Sequence, residues 1–242
     1  MIRIYKEADY AGMSYRAAAI IAAEVIRKPD CVLGLATGST PVGAYKQLTD
    51  WNKEGMLSFK NVQSVNLDEY KGLAPTHDQS YRYFMQDNLF NHVDIDPANT
   101  HVPNGLAEDG EAECAAYDKL VASLGYADLQ LLGIGRNGHI GFNEPYTPFD
   151  SNAHVVKLSD STITDNSRLF ERVEDVPRYA LTMGIGEIMR AKAILLLASG
   201  KNKAEAVLNA VKGKISQKWP VSILKTHKNF VLIIDKEAAC LL

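Results

Sequence analysis

Five short apolar runs narrow the possible folds more than any other feature of the chain: 31–36 (C-V-L-G-L-A), 62–67 (V-Q-S-V-N-L), 129–132 (L-Q-L-L), 193–197 (A-I-L-L-L) and 230–234 (F-V-L-I-I). Their apolar character is largely continuous rather than alternating, which is the mark of strands buried on both faces. Between them lie segments with apolar residues at helical spacing: 10–27, stopped before Pro29; V-G-A-Y-K-Q-L, ending near Glu54 and Gly55; 79–91; 108–124; 182–191; and a stretch from Gly200 to Val211. Residues 3–5 read as a short edge strand and 154–158 as a further strand. Strands alternating with helices predict an α/β fold, with a doubly wound, mostly parallel sheet and helices on both faces. No repeat, low-complexity segment or linker interrupts the 242 residues, so a single domain over 1–242 is the expectation.

Composition removes several classes of function. Hydrophobic residues at 46% and charged residues at 23% suit a globular protein with a sizeable core. No run approaches the about 18 apolar residues of a membrane span, so no membrane partner is expected. The start, M-I-R-I-Y-K-E, has no apolar core or small-residue cleavage site of a secretory signal. Three cysteines with no C-x-x-C argue against a disulfide framework and a zinc site, and a cytoplasmic location is expected. The net charge of −3 divides unevenly, with 12 Lys/Arg against 20 Asp/Glu in residues 1–150 and 14 against 9 in 151–242. The basic half is too diluted by acids for a nucleic-acid footprint but leaves cations for a small anion.

Ligands of open parallel sheets bind outside the carboxyl ends of the strands, and four polar motifs stand there. Thr37-Gly38-Ser39-Thr40-Pro41 follows the second strand. Thr40 suits the N-cap and Pro41 the first helical position, and a helix N-terminus favours an anion. The G-K-[ST] ending of a P-loop is absent. Asp68 and Glu69 follow the third strand. Asp68 is placed to face the cleft, with Glu69 pointing elsewhere if the backbone stays extended. Gly133, Gly135, Gly138 and Gly141 crowd around Asn137, His139, Asn143 and Glu144, a composition suited to holding a polar ligand. The literal G-x-G-x-x-G here lacks the helix that a dinucleotide fingerprint needs. The fourth motif is G-K-N-K at 200–203. No H-x-H or H-x-x-x-H spacing suggests a metal, no G-x-S-x-G elbow is present and no cysteine lies near His139, which leaves proton transfer as the chemistry.

Together C-V-L-G-L-A-T-G-S-T-P, N-L-D-E-Y, G-I-G-R-N-G-H-I-G-F-N-E-P, T-D-N-S-R-L-F and G-x-x-K-A resemble the glucosamine-6-phosphate deaminase (isomerase) family, in order and over essentially the whole chain. The resemblance implies a Rossmann-like doubly wound sheet. It also implies conversion of glucosamine 6-phosphate and water to fructose 6-phosphate and ammonia, without metal or organic cofactor. Carried over residue by residue, Asp68 is the base that moves the C2 proton to C1. His139 assists ring opening, supported by Asn137 and Glu144. Gly38, Ser39 and Thr40 receive the phosphate, with Arg168 and Lys203 as counter-charges. Arg suits bidentate contact with a phosphate, and Lys acts as a point charge.

Two departures stand out. Many family members carry aspartate where this chain has Asn137, which leaves Glu144 as the anion near His139. The basic residues that follow N-E-P in allosterically activated hexameric members are replaced by Y-T-P-F-D-S-N-A-H-V-V at 146–156. The expectation is therefore no activation by N-acetylglucosamine 6-phosphate, and a monomer or small homo-oligomer. The rival readings are 6-phosphogluconolactonase, which would not need Asp68 as a C2–C1 proton carrier, and a sugar-phosphate sensor, which would ordinarily follow a helix-turn-helix.

Overall fold

The computed structural model describes residues 2–167, 170 and 172–242, apart from the side chains of Ser161, Asp165 and Asn166. Its strands are β1 (Arg3–Glu7), β2 (Val32–Leu35), β3 (Gln63–Asn66), β4 (Asp68–Tyr70), β5 (Thr100–His101), β6 (Leu129–Leu132), β7 (His154–Lys157), β8 (Tyr179–Thr182), β9 (Ile194–Ala198) and β10 (Phe230–Asp235). Its helices are α1 (Tyr10–Arg27), α2 (Val42–Lys53), α3 (Tyr81–Asn88), α4 (Gly110–Ser123), α5 (Asp160–Ser167), α6 (Ile185–Ile188) and α7 (Ala204–Val211).

Seven strands form one sheet in the order β1-β10-β9-β6-β2-β3-β5, and every pairing in it is parallel. The apolar runs explain its interior: all of β9 and β10 is buried, down to Leu195, Leu196, Leu232 and Ile233 at 0% exposure. Each such side chain contributes about 1.5–3 kcal/mol on leaving water. β1 lies at the edge, as expected, and is only partly buried. α1 shows how sequence sets its own bounds: Asp9 accepts the Gly12 N–H at 2.9 Å to start it, and it stops at Arg27 ahead of Pro29. Met13, Ala17, Ala18, Ile21 and Val25 form its buried face.

From β2 the chain winds outward through β3 to β5, and from β6 it winds the other way through β9 to β10, which pairs with the N-terminal strand β1 at the far edge. β2 and β6 are neighbours, so the loops that follow them flank the switch point of the sheet, where a crevice opens.

The structure corrects three sequence readings. α2 begins at Val42, with Pro41 at the N-cap position in αR geometry and no side-chain cap, so Thr40 is not the cap. Thr40 belongs to the preceding turn instead. The helix expected over 182–191 is reduced to α6: Thr182 ends β8 (Tyr179–Thr182), and the chain turns after Ile188. That strand is the centre of a second, antiparallel sheet, β4-β8-β7, in which Asp68 pairs with Thr182 and His154 also pairs with Thr182. A small cluster, Tyr70, Phe142, Leu158, Ile163, Val176 and Ala180, fills the space beneath it. This small sheet stands over the carboxyl ends of the large one, since the Met183 N–H donates to the Leu67 carbonyl at 2.7 Å just past β3.

Candidate active site

The residues that leave β2, β3, β6 and β9 converge on one cavity of about 640 Å³. Gly38, Ser39, Thr40, Asp68, His139 and Lys203 all line it. Asn137 and Glu144 do not line it but lie beside His139 on the loop, whereas Arg168 lies outside the described residues.

The turn after β2 supplies one end. Gly38 has φ +86°, a left-handed conformation that a side chain would strain, and it lets the backbone curl over the mouth of α2. Backbone N–H groups of this turn, the hydroxyls of Ser39 and Thr40 and the Lys203 ammonium give this end the character of an anion cradle.

Asp68 occupies the other end at 6% exposure. Burial, with the neighbouring Glu69 charge, pushes its carboxyl up to about 8. No donor reaches it among the described residues. Glu69 points to the opposite side and accepts the backbone N–H groups of Tyr70, Tyr81 and Arg82 at 2.8, 2.9 and 2.9 Å. It thus anchors the first turn of α3, where an anion is favourable. The extended backbone at 68–70 separates the two acids as the sequence reading anticipated.

His139 lies across the cavity on the glycine-rich loop. The loop closes on itself through the Gly135 N–H to the His139 carbonyl at 3.0 Å and the Gly138 N–H to the Gly135 carbonyl at 3.0 Å. A Cβ on Gly135 would overlap the imidazole, so glycine is what allows the ring to lie against the backbone there. The ring Nδ1 is buried without a hydrogen-bond partner among the described residues, and it stands 3.7 Å from Glu144 Oε2. That separation is too long for a hydrogen bond but close enough for a strong charge interaction.

Glu144 is held from three sides. Asn137 Nδ2 donates to Oε2 at 2.7 Å, Ser159 Oγ donates to Oε1 at 3.0 Å, and Thr162 Oγ1 also donates to Oε1. Burial opposes ionisation of this carboxyl. His139, Thr162 and Asn137 outweigh it and hold Glu144 at about 2. Asn137 does not touch the imidazole through its amide: its Oδ1 accepts the backbone N–H of His139 at 3.2 Å. It fixes the loop and the carboxylate rather than the ring.

Several lining residues were not singled out from sequence. Tyr81 and Phe142 form an apolar wall, their rings stacked 5.9 Å apart and inclined by 10°. Thr162 reaches the cavity from α5 with Thr164 of the T-D-N-S-R-L-F motif, and Ser199 lies just before the G-K-N-K motif, whose Asn202 also lines the cavity beside Lys203. Ser199 had a signal, a polar residue just past a buried strand, whereas Tyr81 and Thr162 had none, because they enter from helices. No cluster of three or more His, Cys, Asp or Glu able to hold a metal occurs among the described residues. No helix among them is long and apolar enough to cross a membrane.

Residues 7–233 match the family described as glucosamine-6-phosphate isomerases/6-phosphogluconolactonase, and the chain belongs to that family. Within it, the chain is 54% identical over 231 residues to a glucosamine-6-phosphate deaminase of Clostridioides difficile (strain 630), covering 96% of this chain and 93% of that one. It is 52% identical over 241 residues to a glucosamine-6-phosphate deaminase of Clostridium perfringens (strain 13 / Type A), covering 100% of both. Among solved structures, a monomeric glucosamine-6-phosphate deaminase superposes with a TM-score of 0.98 at 50% identity, over 99% of this chain and 100% of that one.

Proposed function

We propose that this chain converts glucosamine 6-phosphate and water to fructose 6-phosphate and ammonia. The observation that carries the reading is Asp68: a buried carboxyl with no donor among the described residues, in one cavity with an imidazole and an anion cradle. The relatives named above, which span the whole chain at more than half identity, support the same reading.

The chemistry follows from the placement. The pyranose must open before C2 becomes acidic, because only the open form has the C1 aldehyde. His139 takes the proton from O1 and delivers it to the ring oxygen, and Glu144 stabilises the imidazolium between the two transfers. Asp68, as the carboxylate, then removes the proton from C2. The electron pair left on C2 forms the C1–C2 double bond, the carbonyl pair moves to O1, and O1 takes a proton from the substrate ammonium, which gives a neutral enolamine. Asp68 returns the proton to C1, which becomes an alcohol carbon while C2 becomes an iminium. Water adds at C2 and ammonia leaves. The substrate ammonium, entering beside Asp68, favours the carboxylate form that the step needs. Residues 38–40 and Lys203, with Arg168 as a further counter-charge, hold the phosphate and set C1 and C2 over Asp68.

The assembly is a monomer, and the reaction draws on neither metal nor organic cofactor. The test is ammonia release from glucosamine 6-phosphate in D₂O. The expected result is ammonia together with deuterium at C1 of fructose 6-phosphate, both lost in Asp68→Asn. Absence of ammonia, with hydrolysis of 6-phosphogluconolactone instead, would replace this reading with the lactonase one.

A further inference from the structure

Tyr10 is the first residue of α1, far in sequence from every motif of the site, yet its side chain lines the cavity beside Ser39. Its hydroxyl makes two bonds that join separate elements. It donates to the Ser39 carbonyl at 3.0 Å and accepts the backbone N–H of Gly43, in the first turn of α2, at 2.9 Å. The approach is made possible by Gly43, where a Cβ would collide with the Ser14 hydroxyl and press on the Tyr10 ring. Asp9, capping α1 through the Gly12 N–H, fixes the point at which Tyr10 leaves the helix.

The consequence is set by peptide geometry. The chain has no cis peptide among the described residues, so the Ser39 carbonyl and the Thr40 N–H point in opposite directions from one plane. Holding the carbonyl on Tyr10 fixes the direction of that N–H. A carbonyl free to turn would present negative charge to an anion in the cradle, at a cost that grows as water is excluded. We propose that Tyr10 is a positioning residue for the phosphate, acting through its hydroxyl on the 39–40 peptide and the mouth of α2. The proposal rests on residues 38–40 being the phosphate cradle.

The experiment compares the unchanged protein with Tyr10→Phe, which removes one oxygen from a partly exposed side chain. Tyr15→Phe, on the same helix but packed edge-on against Trp51 at 5.6 Å, serves as the control. Binding of inorganic phosphate is measured by calorimetry, and KM and kcat are measured by ammonia release. Tyr10→Phe is expected to weaken phosphate binding and raise KM by about fivefold each, with kcat within about twofold, the factor that one ordinary hydrogen bond supplies. Tyr15→Phe is expected to leave all three unchanged. A lower melting temperature with phosphate affinity and KM unchanged would make Tyr10 a structural residue and overturn the proposal. A fall in kcat alone would overturn it as well. Calorimetry needs no turnover, so phosphate binding that weakens in Tyr10→Phe without any ammonia release would sustain the proposal while removing the proposed reaction. No phosphate binding by the unchanged protein would remove the cradle and the proposal together.

Discussion

Two carboxyl groups serve this cavity from opposite surroundings. Asp68 stands on a three-residue strand with no donor among the described residues, and burial drives it up to about 8. Glu144 stands on the glycine-rich loop, half-buried; burial opposes its ionisation, but the His139 imidazole, with the Thr162 hydroxyl and the Asn137 amide, outweighs it and brings it down to about 2. The difference lies in depth of burial and in which charge and donors face each acid. On the β4 side three backbone N–H groups are available, and Glu69 takes all of them. On the loop side an amide and two hydroxyls converge on Glu144. In the proposed reaction, the acid near neutrality exchanges the proton, and the one far below holds its charge constant.

The largest effect expected from breaking this contrast is that of Asp68→Asn. Loss of the proton carrier lowers kcat/KM by at least about 10³-fold, read by ammonia release. The same variant tests the raised carboxyl independently of activity. A group whose folded pKa lies above its unfolded value of about 3.9 contributes full stability below that value and loses it as pH rises toward the folded one. Asp68→Asn cannot ionise, so its melting temperature should gain on that of the unchanged protein steadily between about pH 4 and pH 8. A difference independent of pH would mean that Asp68 is ionised in the fold. In the unchanged enzyme, kcat/KM should fall on the acid side of about pH 8, following Asp68.

Glu144→Gln is next, with kcat/KM down by about 10²-fold, since the amide keeps much of the shape but cannot balance an imidazolium. Its stability behaviour carries the opposite sign. A carboxyl depressed in the fold contributes stability above its unfolded value of about 4.3 and loses it as pH falls toward the folded one. The stability advantage of the unchanged protein over Glu144→Gln should therefore shrink on acidification from about pH 5 toward pH 2. Melting curves across that range check it.

Asn137→Asp sharpens the comparison further. It places a second carboxylate where an amide now donates to Glu144 at 2.7 Å. Two carboxylates at that separation cannot both remain ionised cheaply, so one proton is retained and the pair titrates together. A new acid-side inflection in kcat/KM, well above 2, and an about threefold to tenfold loss of rate below it are expected. An unchanged profile would show that Asn137 does not contribute to the low value at Glu144.

These contrasts were only partly visible in the sequence. The parallel sheet was legible because five of its strands are largely continuous apolar runs, and α1 was legible to the residue from its helical spacing and the stop before Pro29. β7 was read at 154–158, but β4 and β8 were harder. They are three or four residues long, carry no sustained period and exist by pairing, so Tyr179–Thr182 gave no strand signal of its own. In the site, Asp68, His139 and Glu144 were legible because the first follows a buried strand and the other two lie among glycines. The pairing of Asn137 with Glu144 rather than with the imidazole was not, since loop closure decides which of two neighbours an amide meets. Tyr10, Thr162 and Thr164 enter from helices whose relation to the cavity is set by packing alone.

The smallest effect concerns α5. Thr162 Oγ1 and Ser159 Oγ both donate to Glu144 Oε1, and Ser159 Oγ also accepts the Thr162 N–H at 3.2 Å, capping the helix. Thr162→Ala removes one of three donors and leaves Ser159 and Asn137 in place, so Glu144 stays ionised across the working pH range. The expected loss in kcat/KM is about twofold to fivefold, the factor of one hydrogen bond among several, with the pH profile unmoved. Ser159→Ala removes a donor and the cap together, adding about 1 kcal/mol of lost stability to a similar change in rate. A loss in Thr162→Ala as large as that of Glu144→Gln would place control of the carboxylate in α5. The glycine-rich loop would then supply the imidazole, and the helix would supply the charge that steadies it.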